Sequence, residues 1–186
     1  MDSYKALNKQ TFTSGKYSIV PIRIGDRYDI MKWRNEQMYH LRQNETLTKE
    51  DQDKYFETVV ASLYKKDHPD QILFSYLEND VCIGYGGLVH INWVDRNAEI
   101  SFIMNTELET NNFKKHWGIF LYLIEQVAFT NLKFHKIFTY AFDVRPALYE
   151  ALEKSMFTDE ARLKEHCLFN GFYIDVVIHS KINKQC

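Results

Sequence analysis

The sequence predicts a single α/β (α+β) domain in which a mixed, mostly antiparallel sheet of about seven strands is flanked by about four helices. Three observations carry this. The middle of the chain reads as β-rich runs joined by short turns. After Asn105 the apolar period lengthens from that of a strand to that of a helix. The 186 residues, 45% apolar and 15% aromatic, suffice for one sizeable core, and no repeat, linker or low-complexity segment divides them.

Residues 1–16 begin polar and read as a flexible or peripheral N-terminal segment of the one domain, 1–186. Tyr17 to Ile24 alternates apolar and polar residues, as a half-buried strand does. Gly25-Asp26 supplies a turn and a cap, and Arg27 to Gln37 places Tyr28, Ile30, Met31 and Trp33 at the spacings of a short amphipathic helix. Thr48, with Asp51 three positions on, opens a second helix reaching about Lys65, whose inner face is Tyr55, Phe56, Val59, Val60 and Leu63. His68-Pro69-Asp70 breaks it. Ile72 to Glu78 and Val81 to Ile91 flank Asn79-Asp80, two residues that tolerate the positive φ of a tight hairpin. Asp95-Arg96-Asn97 turns into a third strand, Ala98 to Met104. Trp117 to Phe129 is apolar on most sides, the pattern of a helix packed against a sheet. Lys136 to Phe142 reads as a strand, Pro146 to Ser155 as a helix opened by proline, and Phe157–Phe169 with Phe172–His179 as a hairpin around Asn170-Gly171.

Composition excludes several function classes. The seven glycines form neither a Walker loop nor a G-x-G-x-x-G fingerprint. With 23 Lys plus Arg against 25 Asp plus Glu, the net charge of −2 makes no field for a polyanion, so nucleic acid is not an expected partner. The cysteines, Cys82, Cys167 and Cys186, are odd in number, far apart and without a C-x-x-C pair, so neither a disulfide framework nor a metal site is expected, and Cys82 reads as a small buried hydrophobe. No apolar run is long enough for a membrane span, and the protein reads as soluble and cytoplasmic.

Three stretches then carry a resemblance: Trp33-Arg34-Asn35; Ile83 to Leu88 with Ile91 to Ile100; and Leu152-Glu153-Lys154 through Phe157, with Glu160 to His166 and Asn170 to Val176. In this order, between about Tyr17 and Lys181, they resemble the GNAT superfamily of acyl-CoA-dependent N-acetyltransferases. Within it they look most like the branch acting on nucleotide-linked amino sugars, including the pseudaminic-acid pathway type, with ribosomal-protein alanine acetyltransferases as the nearest rival. The resemblance implies acetyl-CoA as co-substrate, no metal, a small-molecule acceptor, and a monomer or homodimer. A protein N-terminus or polyamine as acceptor, and a degenerate GNAT-fold binding module, are the alternatives.

The same resemblance implies a slot where the fourth and fifth strands, Ala98 to Met104 and Lys136 to Phe142, splay apart. Backbone groups of Phe102, Ile103 and Met104 would pair with the pantetheine arm. The phosphates would meet the loop holding Lys114, Lys115, His116, Trp117 and Gly118, where family members carry a glycine-rich word that this chain lacks, and Arg145 would grip a phosphate. Glu99, a charge at the head of an apolar strand, is the leading proton acceptor, its pKa raised if it is partly buried; the alternative is a solvated strand-end charge. Tyr149 stands one turn from the usual acid tyrosine, whose place Leu152 takes; it is either a donor to the thiolate or a packing residue. Substrate contacts would come from Arg34, Asn35, Gln52, His90 and Asn92.

Overall fold

The structure, a computed structural model, describes residues 3–184. Eight strands form one sheet in the order β1-β2-β3-β4-β5-β6-β8-β7. They are β1 (Phe12–Ser14), β2 (Tyr17–Pro21), β3 (Ile72–Glu78), β4 (Val81–Asn92), β5 (Asn97–Met104), β6 (Lys136–Phe142), β7 (Thr158–Phe169) and β8 (Phe172–Ile182). All neighbours are antiparallel except β5 and β6. Helix α1 spans Arg27–Glu36. Helix α2 (Lys49–Tyr55) runs through a π-helical stretch, Phe56–Val60, into a single turn, α3 (Ala61–Leu63). Helices α4 (Thr106–Glu125) and α5 (Pro146–Lys154) follow.

Local chemistry explains most boundaries. Thr48 and Asp51 form a reciprocal capping box at the start of α2, satisfying two backbone amides that the first turn leaves open. Asn79 and Asp80 both take positive φ, 47° and 66°, and Asn170 and Gly171 take 49° and 84°, so both hairpins close through the left-handed region. Pro146 stands in the first turn of α5.

Two expectations are corrected. The N-terminal segment is not a loose appendage. Tyr4, Leu7 and Phe12 lie in the core, the Tyr4 hydroxyl donates to the Leu73 carbonyl (2.8 Å) and accepts from the Leu73 amide (2.9 Å), and Phe12 begins an edge strand. The helix expected from Trp117 begins at Thr106, because Asn105 caps it by accepting from the Glu107 amide and neither Gly nor Pro interrupts the stretch before Gly118.

Glycines of β4 bring the sheet together. A Cβ on Gly86 would stand 2.2 Å from the Ser101 carbonyl oxygen and 2.9 Å from the Phe120 ring. Only glycine therefore lets β5 and α4 close on this strand. Phe120 fills the space, stacked on Phe102 at 4.0 Å between centroids and set edge-on to Tyr76. Strand β3 is buried along nearly its whole length, as a strand covered on both faces must be.

Candidate active site

Strands β5 and β6 pair only over Asn97–Glu99 and Lys136–Phe138. Beyond Glu99 they part, and a cavity of about 210 Å³ opens between them, lined among others by Arg34, Arg42, Glu99, Phe102, Tyr140 and Arg145. The expected splay is therefore present, between the fifth and sixth strands because β1 precedes the strands predicted. Its free strand edge fits an extended, amide-rich arm. Phe102 lines the cavity, while the Met104 carbonyl already accepts from Gln37 Nε2 at 2.8 Å.

Glu99 sits at the point of divergence with 7% of its side chain exposed. Both its oxygens are engaged: Oε1 accepts from Arg42 Nη2 at 2.5 Å, and Oε2 lies 2.8 Å from His90 Nδ1. Arg42 lies over the Tyr140 ring at 4.7 Å, a cation–π contact that fixes its direction. His90, at positive φ of 48°, is 63% exposed and stands on the solvent side of Glu99. A carboxylate bonded to Nδ1–H leaves Nε2 as the imidazole's open acceptor.

The other predicted acceptor contacts divide. Arg34 lines the cavity, donating from Nε to Gln43 Oε1 (3.0 Å) and from Nη1 to the Tyr85 hydroxyl (2.6 Å). Asn35, Gln52 and Asn92 are not among the residues lining the cavity and make hydrogen bonds within the fold. Asn35 Oδ1 accepts from the Leu47 amide and from Gln43, holding the loop after α1. Gln52 is buried with its amide on the Arg27 carbonyl, tying α2 to α1. Asn92 Oδ1 accepts from the amides of Val94 and Asp95 and shapes the β4–β5 turn.

The phosphate end departs from expectation. Residues 112–118 form no loop, since they lie inside α4. Lys114 pairs with Glu150 on α5, and Lys115 covers the Tyr17 ring. His116 points inward, its Nδ1 3.0 Å from the Tyr76 hydroxyl, and burial lowers its pKa. Trp117 lines the cavity and packs edge-on against Phe102. A Cβ on Gly118 would meet nothing within 4 Å, so it is not a close-approach glycine. The true N-terminus of α4 is acidic, with Glu107 and Glu109 in its first turn. Arg145 spans from α5 to meet it. The guanidinium donates to Glu109 Oε1 (2.5 Å), lies 2.9 Å from His40 Nε2 and covers the Phe113 ring. Burial lowers the pKa of Arg145 and raises that of Glu109. Burial and the Arg145 charge together push His40 down to about 3. The strand edges beyond Glu99 are thus open to an extended arm, whereas at the expected phosphate end stands the internal ion pair of Arg145 and Glu109.

Tyr149 is not among the residues lining the cavity. Its hydroxyl donates to Asp143 Oδ1 at 2.7 Å, its ring stacks on His179 at 5.1 Å, and burial raises its pKa. Sequence reasoning missed Arg42, His40, Tyr140 and Glu109. Arg42 and His40 stand in or beside an irregular loop where no periodicity marks a facing residue; Tyr140 is one member of a strand that reads as buried, with nothing to single it out. No cluster of three or more His, Cys, Asp or Glu is placed to hold a metal among the described residues.

Residues 19–178 match the family model described as acetyltransferase (GNAT) domain. Over 123 residues the chain is 28% identical to the spermidine N(1)-acetyltransferase of Vibrio cholerae serotype O1, covering 63% of this chain and 68% of that protein. Among solved structures, spermidine N-acetyltransferase from Vibrio cholerae in complex with CoA and spermine superposes with a TM-score of 0.77 at 20% identity, over 91% of this chain and 97% of the other. A probable acetyltransferase superposes with a TM-score of 0.74 at 18% identity, over 95% and 98%. These relatives are polyamine and unassigned acetyltransferases, so the amino-sugar branch expected from the sequence is not the one the comparisons return.

Proposed function

The chain belongs to the acetyltransferase (GNAT) family and is an acyl-CoA-dependent N-acetyltransferase with acetyl-CoA as co-substrate; we propose that its acceptor is a primary amine of an aliphatic polyamine. The observation that carries the chemistry is Glu99, buried at the point where the strands part and bonded to both Arg42 and His90. With both oxygens occupied, Glu99 acts by orienting His90, and the open Nε2 of His90 takes the proton as the neutral amine attacks. Glu99 is thus a positioning carboxylate rather than the direct base the sequence reading favoured. Support for a polyamine comes from the spermidine acetyltransferases among the relatives. The charge logic agrees, because the carboxylate already holds a side-chain cation whose place an ammonium can take.

One observation favours a second acceptor, the nucleotide-linked amino sugar. Arg34 lines the cavity, and among the described residues its side-chain hydrogen bonds go to the neutral Gln43 and Tyr85, which leaves a guanidinium charge for a phosphate.

Thiol release from acetyl-CoA, measured with spermidine, spermine, a nucleotide-linked amino sugar and a peptide with a free N-terminus, separates the readings. Turnover with the two polyamines is expected. Turnover only with the sugar nucleotide transfers the assignment to the second reading, and turnover only with the peptide overturns both.

A further inference from the structure

Tyr140 is the second residue of β6 beyond Phe138, the last to pair with β5, and it lines the cavity together with Arg42 and Glu99. The Arg42 guanidinium carbon lies over its ring, 4.7 Å from the centroid, and the same guanidinium donates from Nη2 to Glu99 Oε1 at 2.5 Å. A carboxylate oxygen and an aromatic face thus close on one cation. These are two groups that recognise an organic ammonium, the first by its charge and the second by the negative face of the ring.

Three features let the cation in this place exchange. The Arg42 side chain is 49% exposed and that of Glu99 only 7%, so the guanidinium can return to water while the carboxylate stays in the fold. The chain beside Arg42 is anchored without it: Gln43 Nε2 donates to Asn35 Oδ1 and to the Glu45 carbonyl, and Gln43 Oε1 accepts from Arg34 Nε. Release of the guanidinium is therefore a side-chain movement. The Tyr140 ring is held from other directions, with its hydroxyl 3.4 Å from Cys167 Sγ, the His166 ring edge-on at 6.0 Å, and its backbone in register with Ile178 of β8. The aromatic face stays in place when the guanidinium leaves, which keeps the ordering cost of a replacement low.

We propose that Tyr140 is a specificity-determining residue: its ring and Oε1 of Glu99 form a seat for a second, non-reacting ammonium of the acceptor, a seat that Arg42 occupies in the free protein. This rests on the polyamine reading and supplies the group that tells a polyamine from a monoamine. With Oε2 of Glu99 on His90, the two carboxylate oxygens serve the two ends of one acceptor. The neutral amine meets His90 Nε2, and the second nitrogen, still charged, displaces Arg42 into solvent. A monoamine brings no second charge and leaves Arg42 where it is.

Such a seat has a signature that a packing role lacks. In the wild type, Arg42 and the acceptor's ammonium compete for one face, so loss of the ring weakens both and the effects nearly cancel. In Arg42→Ala only the acceptor uses the face. The test measures KM for spermidine by thiol release in wild type, Tyr140→Leu, R42A, and R42A combined with Tyr140→Leu or Tyr140→Phe. Y140L alone is expected to change KM by less than about 3-fold, whereas Y140L in R42A raises it about tenfold, the order of one partly desolvated cation–π contact. Y140F, which keeps the ring, stays within about 2-fold of R42A. With hexylamine, which has one nitrogen, Y140L matches its parent in both backgrounds. A further readout needs neither turnover nor the leucine variant: spermine added to R42A shifts the near-ultraviolet tyrosine absorption, and the shift is absent when R42A also carries Y140F. Equal losses in the two backgrounds, equal losses with spermidine and hexylamine, or no absorption shift in R42A overturns the seat while polyamine turnover by the wild type leaves the polyamine reading standing. Turnover of the sugar nucleotide or the peptide without turnover of either polyamine removes that reading, and this role with it.

Discussion

His90 Nδ1 lies 2.8 Å from Oε2 of Glu99, and the imidazole is largely exposed while the carboxylate is buried. In the proposed mechanism the pair acts as one unit, the carboxylate setting the tautomer and the ring taking the proton. His90→Gln and Glu99→Gln are each expected to lower kcat/KM about 10²- to 10³-fold, the usual worth of a positioned base. The double variant should lose no more than the worse single one, since residues acting together are not additive. Steady-state thiol release measures all three, and losses that multiply would show that the two side chains act independently.

Arg42 holds the other oxygen of Glu99 and lies on Tyr140, and all three residues line the cavity. Arg42→Ala removes a competing cation. For a polyamine this should lower KM by about 3- to 10-fold, the order of an exposed to half-buried ion pair. For a phosphate-bearing acceptor the same change should raise KM. Acceptor titrations on R42A therefore read the sign of the acceptor's charge.

Acid should weaken the fold through His40. Its folded pKa is held near 3 by burial and by Arg145, whereas an unfolded histidine titrates near 6.5. Between these values the unfolded chain binds the proton and the folded chain refuses it. The histidine's neutral form thus supports stability fully above about pH 6.5, and that support is lost progressively as pH falls toward 3. Discounted for partial exposure, the loss by pH 5 is about 1 kcal/mol. Urea unfolding from pH 7.5 to 5 should show this decline, flattened in His40→Gln.

Much of the fold was legible because its signals are local. The Thr48–Asp51 capping box and the two positive-φ hairpin turns depend on residues within four positions of one another, and each lies where the sequence puts it. Burial of Tyr4 was not legible, since it depends on a bond to Leu73, 69 residues away. The start of α4 was misplaced for a related reason. Asn105 caps that helix, yet the expectation of a phosphate loop further along hid a segment with nothing to break it. Glu99, Arg34 and His90 stand in regular elements, and the structure places Glu99 and Arg34 in the cavity lining and His90 on Glu99. Arg42 reaches Glu99 from an irregular loop, and only tertiary structure joins them.

Arg145 and Glu109 form a mostly buried pair joining the starts of α5 and α4, with 12% and 15% of their side chains exposed. Burial moves both pKa values against the charged form, so desolvation outweighs attraction. Arg145→Met leaves a lone buried carboxylate and should cost about 2–4 kcal/mol in urea unfolding, whereas Arg145→Met with Glu109→Leu should recover most of it. The single variant should also gain stability as pH falls and Glu109 takes up a proton.

Gly118 distinguishes the helix from the loop that the family pattern implies. It lies within α4 at ordinary helical φ, and a Cβ there meets no atom within 4 Å. Gly118→Ala should therefore stabilise the protein by about 0.5–1 kcal/mol, the helix-propensity difference between the two residues. A Cβ at a true phosphate cradle would instead block close approach of the backbone to the anion. Calorimetry with CoA on G118A is expected to give the wild-type Kd alongside a raised Tm. A Kd weakened by more than about tenfold, a difference of about 1.4 kcal/mol, would mean that residues 112–118 unwind to meet the phosphates and that Gly118 is their contact.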